Sequence, residues 1–127
     1  INKIEKLFEE KFLKDPEISY FTQWVDDELI GFACMREDNI LFTPVEPKLF
    51  GKGYGELMIK YLLENYNVKH TYVYCSDMHF LAFYSSLGFE IDDKIEDIFF
   101  GNDYQINKLK LGVSREEAIK RIEAKMS

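Results

Sequence analysis

A chain of 127 residues that is 46% hydrophobic, 16% aromatic and 31% charged can build one core without disulfide or metal staples, and is too apolar to be a disordered linker. Its net charge of −7 and pI near 4.9 argue against the basic face that nucleic-acid binding requires and steer partners toward cationic or neutral molecules. No apolar run reaches the roughly 18 residues of a membrane span, and no charged start followed by an apolar core reads as a signal peptide.

The chain starts at Ile1 without a methionine, so further residues are expected upstream. From Asn2 to Lys14, Ile4, Leu7, Phe8 and Phe12 recur at helical spacing, and Asp15-Pro16 ends the run, which predicts an amphipathic helix. Ile18 to Val25 and Leu29 to Met35 are β-branched and aromatic, and the polar Asp26-Asp27-Glu28 between them predicts a hairpin. A second turn, Arg36 to Asn39, leads into a third strand, Ile40 to Val45, where Pro44 cannot donate to a ladder and predicts a splay. Leu57, Met58, Tyr61 and Leu62 then mark a helix, and His70 to Ser76 a strand.

Asp77 is placed to cap a helix carrying Phe80, Phe83, Tyr84 and Leu87 at i, i+3, i+4 and i+7, and Gly88 stands where a helix ends. Phe89 to Ile91 and Tyr104 to Leu111 read as strands separated by an acidic connection with Phe99, Phe100 and Gly101, and Ser114 to Glu117 as a capping box. That box opens a terminal helix with Ile119, Ile122 and Met126 on one face, which must cover the sheet or a second copy. The sum is an α+β layout with helices packed on a central, mostly antiparallel sheet. Cys34 and Cys75 fall in strand-like stretches and read as reduced thiols, which suits a cytoplasmic location, and nothing beside them has metal-ligand spacing.

Three glycines at alternating positions, Gly51, Gly53 and Gly55, precede the second helix. A glycine-rich turn feeding a helix aims backbone N–H groups and the positive end of the helix dipole at one point, which makes an anion site with phosphate as the natural guest. No Ser or Thr follows a Gly-Lys pair in register, so a nucleoside-triphosphate loop is not expected, and the preceding hairpins do not suit a dinucleotide fold.

The stretch V-E-P-K-L-F-G-K-G-Y-G, Val45 to Gly55, resembles the coenzyme-A-binding segment of the GNAT superfamily of N-acetyltransferases, V-x-P-x-x-[Q/R]-G-x-G-x-[G/A]. A second stretch, Asp77 to Glu90, is similar to that family's later motif, Asn-x-x-A-x-x-F-Y-x-x-x-G-F. The order and separation of the two agree with the family. Three positions depart from it: Phe50 replaces Arg or Gln, Asp77 replaces Asn, and Phe80 replaces a small residue. Lys48 and Lys52 are available to supply the missing positive charge.

The resemblance implies an acyl-CoA N-acyltransferase fold over one domain, 1–127, with a core at 1–112 and a helical extension at 113–127. It implies acetyl-CoA as co-substrate, no metal, and transfer of acetyl to a primary amine by direct attack, with a small molecule ranked ahead of a protein. Thr43 and Val45 would bind the pantetheine arm, and the Thr43 amide would polarise the acetyl carbonyl. Phe50, Gly51, Lys52, Gly53, Tyr54 and Gly55 would form the diphosphate loop, Asp77 would lie at the coenzyme site, and Tyr84 would protonate the departing thiolate.

No proton acceptor is assigned: Glu37 and Asp38 stand just before Asn39, which aligns with a glutamate of many relatives, His79 on its short helix and a water chain stay open, and His70, at the start of a strand, is expected to have no chemical role. Trp24, Tyr20 and Phe32 would stand near the mouth of the acceptor cleft, or simply pack. A non-catalytic coenzyme sensor or interaction module is the competing expectation. Neither nucleic acid nor membrane is an expected partner, and a homodimer through the sheet edge or last helix is compatible with the layout.

Overall fold

The computed structural model describes residues 2–7, 18–42, 52–96 and 105–126. Its elements, in chain order, are β1 (Asn2–Leu7), β2 (Ile18–Val25), β3 (Glu28–Arg36), β4 (Asn39–Phe42), α1 (Tyr54–Asn65), β5 (His70–Tyr74), α2 (Met78–Leu87), β6 (Phe89–Glu96), β7 (Gln105–Leu111) and α3 (Arg115–Met126). The strands form one sheet in the order β1-β2-β3-β4-β5-β7-β6. All pairings are antiparallel except β4 with β5, which is parallel. This is the expected α+β architecture.

The first predicted helix is a strand over residues 2–7, and its predicted remainder, 8–14, lies outside the described residues. The unpaired edge of β2 needs backbone partners, and β1 provides a six-residue ladder from Asn2↔Val25 to Leu7↔Tyr20. Ile4 faces the core and Lys3 and Glu5 face away, so alternation in this short stretch prevails over the helical spacing.

The β2–β3 turn, Asp26-Asp27, has both residues left-handed (φ 47° and 67°), the geometry of a type I′ hairpin whose twist matches its strands. The β3–β4 turn, Glu37-Asp38, is equally short. The acidic stretch after Ile91 is also a strand, because β6 runs on to Glu96 along the lysines of β7, with Asp93 opposite Lys108 and Glu90 bonded to Lys110 at 3.5 Å. Phe99, Phe100, Gly101 and Tyr104 lie outside the described residues. Cys75 sits in the turn after β5, and both thiols are free.

Cross-strand partners share a face of the sheet. Phe21 opposite Ala33, and Met35 opposite Ile40, belong to the face packed on the helices. There α1 buries Met58, Ile59, Leu62 and Leu63, each contributing about 1.5–3 kcal/mol of transfer free energy. Helix α3 places Ala118 and Ile122 in the same core, with Lys60 reaching Glu123 at 3.9 Å. Its apolar face is therefore covered by its own chain, while Met126 is 42% exposed. The Ser114 hydroxyl accepts from Glu117 N at 3.1 Å, as the capping box predicts. Tyr20 with Cys34, Thr22 with Phe32, and Arg36 with Asn39 occupy the opposite face.

Candidate active site

The parallel ladder between β4 and β5 has two rungs, Asn39↔His70 and Ile40↔Thr71. Beyond them β4 stays with β3 as far as Phe42, and β5 stays with β7 as far as Tyr74. A wedge thus opens between two neighbouring strands of one sheet. Sequence reasoning assigned this splay to Pro44, but the last rung is at Ile40. The cause visible among the described residues is a bulge: the β3–β4 register shifts between Cys34 and Met35, leaving Leu41 as an extra residue. Such an insertion bends its strand and breaks pairing locally. Thr43, Pro44, Val45, Lys48, Phe50 and Gly51 lie outside the described residues.

At the head of α1, Gly53 is left-handed (φ 87°, ψ 3°) and no side chain caps the helix among the described residues. Leu57 N donates to Gly53 O at 3.0 Å, the first intrahelical bond. The amides of Tyr54, Gly55 and Glu56 therefore have no intrahelical acceptor, and the helix dipole adds a partial positive charge there. The Glu56 carboxylate lies in this first turn, with Oε2 at 3.7 Å from where a Cβ on Gly53 would stand. Lys52 is exposed. Gln23, fully buried on β2, donates from Nε2 to Tyr54 O at 3.0 Å and so fixes the helix start, while its Oε1 finds no partner among the described residues.

Helix α2 follows β5 through a three-residue turn, so it starts at the open end of the wedge. Asp77 Oδ1 accepts from Phe80 N at 3.1 Å, and Gly88 closes the helix at φ 107°. Asp77 thus acts as a cap in this structure. A Cβ on Gly55 would meet Phe83 Cζ at 4.0 Å, which brings the two motifs, about thirty positions apart in sequence, into contact. Tyr84 is 2% exposed, edge-on to Phe83 and Phe89 with ring centroids 5.2 and 5.4 Å away. Phe80, where the family has a small residue, is half-buried beside Phe83.

The candidate proton acceptors separate clearly. Glu37 is exposed in its turn with φ 54°, Asp38 pairs with Lys69 at 3.5 Å, and His79 is exposed with its ring against Phe80. Asn39 Oδ1 instead meets His70 Nδ1 at 3.1 Å, and His70 Nε2 stands 3.7 Å from Asp92 Oδ2. Burial holds the His70 imidazole below its usual pKa; Lys108 adds to this, the Asp92 carboxylate opposes it, and Lys69 adds a little more.

On the same sheet face burial pushes the Cys34 thiol up to about 11, against a hydrogen bond with Tyr20, whose own phenol is raised, first by burial. Trp24 Nε1 donates to Thr22 Oγ1 at 2.9 Å. Sequence reasoning missed Gln23 and the Asn39–His70–Asp92 cluster. A glutamine two residues after Phe21, on the inward face by strand alternation, is a readable signal for the first. The cluster has none until the register is known.

No protein-family model matches the sequence. The fold matches solved acetyltransferase structures over nearly its whole length. An acetyltransferase from Bacillus subtilis in complex with CoA is 20% identical, has a TM-score of 0.69, and shares 90% of this chain and 100% of its own. The ribosomal-protein-S18-alanine N-acetyltransferase of Escherichia coli is 15% identical, with a TM-score of 0.66 over 90% of this chain and 96% of its own. Mutant forms of the spermidine/spermine N-acetyltransferase of Vibrio cholerae are 17% identical, with a TM-score of 0.63 over 88% of this chain and 75% of theirs. The chain therefore has the GNAT fold that its two motifs imply.

Proposed function

We propose that this chain is an acetyl-CoA-dependent N-acetyltransferase that acts on a primary amine by direct attack. The observation that carries the reading is the wedge after Ile40 and Thr71, with the uncapped head of α1 set against α2 at its open end. A wedge exposes strand backbone to an extended amide-bearing arm, and bare helix amides suit a diphosphate. The residues present fit the coenzyme on these grounds. The Glu56 carboxylate, which now lies beside Gly53, would swing outward as a stronger anion takes the dipole.

When bound, acetyl-CoA supplies an acetyl group activated as a thioester. The chain's own contribution is to hold and polarise. Amides at 54–56 would grip phosphate oxygens, with Gly51, Lys52 and Gly53 completing the loop and Phe50 closing it. Thr43 and Val45 would pair with the pantetheine arm, and the Thr43 N–H would donate to the carbonyl oxygen as negative charge develops. Tyr84 would give its phenolic proton to the departing sulfur, shielded from water by Phe83 and Phe89. Asp77 would act indirectly, by fixing the start of α2.

Holding amine and thioester in one cleft supplies much of the acceleration through proximity. The acidic chain favours a cationic acceptor. A small amine ranks first, and the spermidine/spermine specificity named for one structural relative agrees with that. Thiol release from acetyl-CoA across a panel of small amines and peptide N-termini tests the proposal. Amine-dependent release is expected; none with any acceptor would overturn it.

A further inference from the structure

We infer that His70, held between Asn39 and Asp92, is the residue that takes the proton from the acceptor amine. The inference rests on the acetyl-transfer reading above and assigns it the proton acceptor that sequence left open. Four observations carry it.

First, position. His70 forms the first rung of the β4–β5 ladder, one residue before the last rung at Ile40↔Thr71, after which the wedge opens.

Second, face. Ile40 and Thr71 are buried toward the helices, so their neighbours Asn39 and His70 point to the opposite face. That face also bears Tyr20, Trp24 and Phe32.

Third, orientation. With Asn39 Oδ1 accepting from Nδ1–H at 3.1 Å, the ring lone pair is on Nε2, which faces Asp92 Oδ2 at 3.7 Å. A proton arriving at Nε2 creates an imidazolium beside a carboxylate, which stabilises it.

Fourth, charge state. The groups around the ring are Asp38 and Lys69 at the strand start, Lys108 and Lys110 on β7, and Glu90 and Asp92 on β6. Burial together with Lys108 and Lys69 keeps the ring neutral at pH 7, in the form that accepts a proton.

The ammonium R–NH3⁺ gives one proton through water to His70 Nε2, becoming R–NH2. Its lone pair forms the C–N bond to the acetyl carbon, and the C–S electron pair leaves with sulfur. The nitrogen then sheds its second proton to solvent and the sulfur takes the phenolic proton of Tyr84, which solvent restores, giving amide and free thiol. His70 returns its proton to solvent.

The test compares wild type, His70→Gln and Asp92→Asn, using acetyl-CoA and the best amine of the panel. NMR titration of the His70 ring provides a readout independent of turnover. In wild type, kcat/KM should rise with pH along a limb whose midpoint coincides with the ring's own, below the usual histidine value. In Asp92→Asn, which removes the group that raises the pKa, both midpoints should move down together. His70→Gln should lose about 100-fold or more in kcat/KM at pH 7 and regain activity as the amine deprotonates itself at high pH, with coenzyme affinity unchanged. An unchanged pH profile in His70→Gln, or a limb in Asp92→Asn that stays while the ring midpoint moves, would overturn the assignment alone. Wild-type protein that neither binds acetyl-CoA nor turns over would overturn the acetyl-transfer reading itself.

Discussion

Replacing Gly53 by alanine adds a methyl group at φ 87°, where an L side chain costs about 1–2 kcal/mol. Among the described residues the nearest atom to the added Cβ is Glu56 Oε2 at an ordinary 3.7 Å. Gly55 is the contrast: it lies inside α1, its added Cβ would meet, among the described residues, only Phe83 Cζ at 4.0 Å, and alanine is better than glycine in a helix by up to about 1 kcal/mol. For 127 residues, an unfolding entropy of about 2.1 cal/mol/K per residue gives roughly 0.27 kcal/mol per kelvin. Gly53→Ala should therefore lower Tm by about 4–7 °C, while Gly55→Ala should leave it unchanged or raise it by up to about 4 °C. Gly53→Asn, which tolerates the left-handed region, should recover part of the loss. Differential scanning calorimetry reads all three. Titration of acetyl-CoA into the same proteins reads function: Gly53→Ala should bind more weakly, since relaxing to negative φ turns the 53–54 peptide away from the anion. Equal Tm changes for the two alanine variants would refute the cap geometry on which the site is built.

Tyr84→Phe should lower kcat about 10- to 100-fold with coenzyme affinity unchanged, read by thiol release and calorimetry; equal turnover would remove Tyr84 from the proton path. Ile122→Ala truncates a fully buried residue of α3 and should cost about 2–5 kcal/mol in denaturant unfolding, whereas a helix that served only a partner would lose little. Because burial lifts the Cys34 thiol to about 11, it stays protonated at pH 8. Alkylation at that pH, followed by peptide mass spectrometry, should label the half-buried Cys75 well before Cys34.

What was legible in the sequence was what is decided locally. The Asp77 cap, the Gly88 stop and the Ser114 capping box depend on a few consecutive residues, and each forms as the spacing implies. The hairpin at Asp26-Asp27 is likewise a two-residue decision. What was missed depends on partners distant in sequence. Asn2–Leu7 is a strand because β2 needs an edge partner, and Asp92–Glu96 is a strand because β7 offers lysines. The splay starts at a bulge opposite Cys34 and Met35, and a bulge is a property of two strands in register. At the site, the Gly53–Gly55 turn and the α2 motif were readable separately. The Gly55–Phe83 contact that joins them, the Gln23 bond to Tyr54 and the Asn39–His70 rung exist only once the sheet is assembled.

The central claim is that bare amides at the head of α1 hold the coenzyme's diphosphate, and its most direct test is a pair of calorimetric titrations, with acetyl-CoA and with S-acetylpantetheine, which lacks the diphosphate and the phosphorylated adenosine beyond it. Two charge-assisted hydrogen bonds at about 1.5 kcal/mol each amount to roughly 100-fold in affinity. Acetyl-CoA should bind one to one, with the shorter thioester at least about 100-fold weaker. Equal affinity for the two, or no binding of acetyl-CoA, would contradict the account.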